Sequence, residues 1–90
     1  MITAQQMRAA RALAGIDQKV LAERAGISLP TIQRMEASDG VVRGVVDSLV
    51  KVIAALESFG VELIGEDQLS ERGGRGVRLR RPPPPDDKTG

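Results

Sequence analysis

The side chains that could do chemistry crowd between Asp17 and Ala37, where Gln18, Lys19, Glu23, Arg24, Ser28, Thr31, Gln33, Arg34 and Glu36 fall within a short span. No nucleophile stands beside a base among them. The chain has no Cys and no His, so disulfides, thiolate metal sites and the commonest general base are all missing. Its carboxylates are scattered rather than paired. An enzyme is therefore not expected, and neither a metal nor a cofactor. What remains is recognition by amides, hydroxyls and guanidinium groups.

Two short helical patterns must position these groups, separated by Ala25-Gly26-Ile27. In the first, Val20, Leu21 and Ala25 are apolar at helical spacing, Gln18, Lys19, Glu23 and Arg24 form the wet side, and Asp17 is the cap. In the second, Ser28 is a good N-cap and Pro30 is tolerated because first-turn amides have no helical partner. Ile32 and Met35 share its inner face, which leaves Leu29, Pro30, Gln33, Arg34 and Ala37 outward. Two helices joined by so short a turn cross steeply, and one of them projects. A short projecting helix can enter a groove.

The stretch resembles the Cro/CI-type helix-turn-helix regulators, also called the XRE family. The resemblance is carried by Arg11, Gly15-Ile16, Gln18, Leu21-Ala22, Ala25-Gly26-Ile27-Ser28, Thr31-Ile32 and Glu36, and covers roughly Met7 to Leu56 with gaps. It implies a mainly α, lambda-repressor-like bundle of four or five helices that binds double-stranded DNA, usually as a dimer on a partly palindromic operator. It also implies that Gln18 holds a phosphate, that Leu29, Pro30 and Arg34 lie nearest the base edges, and that Thr31 and Gln33 lie beside them or on the backbone, in the helix that Ser28 opens. Leu29 and Pro30 depart from the usual polar residues and can only press on thymine methyls or sense groove shape. Arg34 is then the candidate for guanine, whose O6 and N7 suit a guanidinium. Asp17 departs too, because a carboxylate beside Gln18 repels a phosphate. Arg43 lies in the loop this family often sets against the DNA backbone.

Before this stretch, Thr3 can cap a helix running to about Ala14, with Met7, Ala10 and Ala14 inward and Gly15 ending it. Arg11 falls on or beside that apolar stripe, an odd place for a guanidinium unless a carboxylate meets it. Glu36 is the candidate, and the resemblance implies the same ion pair. The alternative is an arginine that snorkels to solvent.

After it, Leu49, Val52, Ile53 and Leu56 repeat at i, i+3, i+4, i+7 in a helix from Val45 or Val46 to Phe59, stopped by Gly60. Residues 1–60 thus form the helix-turn-helix domain. Val61–Ile64 and Val77–Arg80 alternate and read as two strands of a hairpin element over 61–80. A lone hairpin is marginal in water. Pairing edge to edge with the hairpin of a second copy would cover its apolar face and open edges, with Phe59, Val61, Leu63, Val77 and Leu79 at the seam. The alternative is that it folds back on its own domain. Residues 81–90, with four consecutive prolines and little else apolar, read as a disordered tail.

Ninety residues allow one small core. Net charge is only +1, so a single copy has few phosphates' worth of attraction, and two copies acting together are expected. No stretch approaches the ~20 apolar residues of a membrane span, and a cytoplasmic, nucleoid-associated protein is expected. The sequence therefore points to a homodimeric DNA-binding regulator, a repressor or autoregulator. The alternative is an antitoxin or similar module that grips a partner protein through its C-terminal segment.

Overall fold

The computed structural model describes residues 2–42, 44, 46–65 and 72–80. The described elements are α1 (Ala4–Ala14), α2 (Gln18–Ala25), α3 (Leu29–Glu36), α4 (Val46–Ser58), β1 (Val61–Ile64) and β2 (Gly76–Leu79). The fold is mainly helical with one two-stranded antiparallel sheet.

The helix limits follow local chemistry. Thr3 Oγ1 accepts the Gln6 amide hydrogen while Gln6 Oε1 accepts the Thr3 one, a reciprocal capping box at the start of α1. Asp17 Oδ1 accepts from the Val20 N–H at 2.8 Å, and Ser28 Oγ accepts from the Thr31 N–H, so α2 and α3 begin where capping residues stand. Gly26 ends α2 at φ 72°, in the left-handed region that a side chain resists. In α4, Asp47 lies in the first turn and pairs with Lys51 one turn on, at 3.1 Å.

One core joins all six elements. Met7, Leu21, Ile32, Val52, Leu56 and Val61 are its largest fully buried side chains. The chain start is drawn in as well, because Thr3 forms a β-bridge with Val41 and the Val42 N–H donates to Ile2 O at 3.0 Å. Both Ile2 and Val42 are buried by that stitch.

The hairpin register is Val61↔Leu79, Glu62↔Arg78, Leu63↔Val77 and Ile64↔Gly76. The second strand thus runs one residue earlier than the alternation predicts, and the Arg80 N–H closes its far end on Gly60 O at 2.8 Å. Opposed residues share a face. Val61 is fully buried, and Leu63 and Val77 pack against the core, so this domain itself covers the apolar face for which a second copy was expected. The reason is proximity: β1 follows α4 directly, and α1 lies across both strands. Glu62 and Arg78 pair at 3.0 Å on the opposite face. The tail, 81–90, lies outside the described residues.

Candidate nucleic-acid interface

The projecting helix is clamped at its end. Glu36, the last residue of α3, is only 3 % exposed, yet its carboxylate is fully engaged. Arg11 Nε donates to Oε2 at 2.6 Å and Nη2 donates to Oε1 at 2.8 Å, a fork in which each arm meets its own oxygen. Gln18 Nε2 donates to Oε1 at 3.0 Å, and Arg8 Nη1 donates to the Glu36 carbonyl. This bonding holds the Arg11 guanidinium above its ordinary range, although partial burial works the other way. Three helices meet at one carboxylate, so α3 cannot tilt without breaking a charged pair.

Gln18, from which the resemblance implies a phosphate contact, is therefore already tied to Glu36. An amide nitrogen has two hydrogens, and the second one and the carbonyl oxygen stay available at this half-buried position. Asp17 keeps its carboxylate on its own helix start.

Along α3, Ile32 and Met35 are buried, and Pro30, Gln33 and Arg34 are exposed. Leu29 is half-buried and packs against the core, so less of it is presented than its place in the helical pattern suggests. The Ser28 and Thr31 hydroxyls hydrogen-bond to each other at 2.8 Å, and Arg34 Nη2 donates to Thr31 Oγ1 at 3.5 Å. The exposed face of α3 thus carries one cation, one amide and two hydroxyls. Arg43 lies outside the described residues.

The residues assigned to a seam between copies divide. Phe59 lies beneath Arg24, whose guanidinium carbon is 4.2 Å from the ring centre while its Nη1 donates to Ser58 Oγ at 2.8 Å. Val61, Leu63 and Val77 face their own core, whereas Leu79 is 50 % exposed. Sequence reasoning missed Arg8 and Gln6. For Gln6 the signal was present, since Thr3 and Gln6 have capping-box spacing, but its further partners on the hairpin have no local signature.

Among the described residues, no three His, Cys, Asp or Glu side chains gather as a metal site would require, and no helix is long and apolar enough to cross a membrane. A family model described as a helix-turn-helix domain matches residues 4–58, from the first residue of α1 to the last of α4. No curated protein is a significant match. The hairpin stands outside the matched segment.

Proposed function

The chain belongs to the helix-turn-helix domain family, and from that premise we propose that it is a sequence-specific DNA-binding transcriptional regulator of the Cro/CI type. It acts as a homodimer on a palindromic operator, as a repressor or autoregulator in the cytoplasm, and it is not an enzyme. The observation that carries this reading is the state of α3, clamped at Glu36 while Pro30, Gln33 and Arg34 stay exposed.

Each protomer lays α3 in a major groove with Arg34 toward a guanine edge, and the two helices stand about 34 to 36 Å apart, or a multiple, on one face of the duplex. Gln18, at the start of α2, gives its second amide hydrogen to a phosphate, and the loop containing Arg43 touches the backbone. Dimerisation uses the hairpin edges and the exposed half of Leu79, which the domain leaves uncovered. It also compensates for a formal charge of only +1 per chain, because two copies together meet more phosphates. Repression is occlusion of a promoter.

The test is selection of bound duplexes from a random pool, with sedimentation of the free protein. A two-fold symmetric winner bound by a dimer is expected. A chain that sediments as a monomer and enriches no sequence overturns the reading.

A further inference from the structure

Gln6 is buried, at 6 % exposure, and its amide reaches well beyond its own helix. Oε1 accepts from the Thr3 N–H at 2.9 Å, while Nε2 donates to Ile64 O at 3.0 Å and to Gly76 O at 2.9 Å. Those carbonyls belong to opposite strands, at the last pair of the register, where the hairpin opens into its loop. Both amide hydrogens and the oxygen are therefore used, and a shifted hairpin would leave a buried group unpaired.

The other end of the hairpin is attached differently. There Gly60, at φ 85°, joins α4 to β1 and accepts from the Arg80 N–H. The hairpin is thus tied through the backbone at Gly60 at one end and through Gln6 at the other, with Val61, Leu63 and Val77 packed on the core between them. On the same helix, Arg8 and Arg11 grip Glu36 of α3. One helix, α1, carries the hairpin through Gln6 and the presented helix through its arginines.

We propose that Gln6 sets the half-site spacing that the dimer accepts. Resting on the dimeric DNA reading above, the inference is that hairpins paired at the two-fold axis fix each α3 relative to that axis only as firmly as α1 is fixed to the hairpin. One base pair of spacing is only ~3.4 Å along the duplex. The buried Val61 fixes the base of the hairpin, and the Gln6 amide fixes its loop end, where a shift of that size would blur the spacing. Gln6 is a positioning residue and touches no DNA.

The experiment uses the full chain and a duplex pool in which two copies of the selected half-site are separated by spacers of varied length. Wild type enriches one spacing. Gln6→Met removes both donors and the acceptor at similar length, and Gln6→Glu keeps the acceptor for Thr3 but turns a second carboxylate oxygen toward two carbonyls. Both variants are expected to remain dimers by sedimentation, to select the same half-site sequence, and to prefer the wild-type spacing about fivefold less or lower still, as loss of the two hydrogen bonds to the strands implies in each. A folded variant dimer that picks the spacing as sharply as wild type overturns the proposal. Loss of the dimer in both variants also overturns it, because Gln6 would then be a requirement for assembly. A wild-type chain that enriches no paired half-sites sinks the dimeric reading itself, a different and recognisable result.

Discussion

Arg11 and Glu36 meet through both arms of one guanidinium, at 2.6 and 2.8 Å, with the carboxylate almost wholly out of solvent. Removing one partner strands the other's charge. Arg11→Met should therefore destabilise the fold by ~3 kcal/mol or more in urea titrations, because it strands the buried carboxylate, and Glu36→Leu somewhat less, since the Arg11 it strands retains some exposure. The double variant Arg11→Met/Glu36→Leu should recover much of the loss. A double variant as unstable as the sum of the two singles would show that no pairing is involved.

The same pair gives a pH expectation. A cation whose folded-state pKa is raised contributes stability in full below its unfolded value and loses it as pH climbs through the folded value, which for Arg11 lies in strong alkali. With no His in the chain, melting should vary little between about pH 6 and 8. A steep change across that window in thermal scans would contradict this.

Specificity and affinity should separate on different arginines. Arg34→Ala is expected to lose ~5-fold to 150-fold of the discrimination between operator and scrambled duplex, the range for a bidentate guanine contact. Arg43→Ala should weaken all duplexes alike and lower the salt slope by about 1. Fluorescence anisotropy across a salt series measures both, and unchanged discrimination by Arg34→Ala removes its assigned role.

Leu79 offers the cleanest probe of assembly, because it is the half-exposed member of the hairpin's inner set. Leu79→Lys should keep the fold but make melting independent of protein concentration, shift sedimentation toward monomer and abolish operator preference. A Leu79→Lys chain that still sediments as a dimer would move the interface elsewhere.

Much of the site was legible in the residues. Arg11 on an apolar stripe demanded a carboxylate, and Thr3, Asp17 and Ser28 marked the helix starts that the structure shows. Local periodicity found the four helices because each carries a repeating apolar face. It failed where partners are remote or periods are too short. Gln18 reads as part of the wet side of α2, with a phosphate as its partner, because nothing local reveals that Glu36 comes within 3.0 Å of it. Leu29 lies in a first turn, where position in the helical wheel says little about the neighbouring core. The anchoring of the hairpin's loop end depends on residues 58 and 70 positions from Gln6, beyond any window of pattern. Ile2 and Val42 have no period at all, and their burial comes from a single bridge.

That bridge and the Gln6 clamp also order events during synthesis. Chains emerge from the ribosome amino end first, and compact units close as soon as their partners are out. Val41 and Val42 complete the stitch to Ile2 and Thr3, whereas Gly76 must emerge before Gln6 gains its last partner. The stitch between the chain start and the segment after α3 can thus close before the hairpin's second strand is there to meet Gln6, and the core is sealed only when Val61, Leu63 and Val77 arrive.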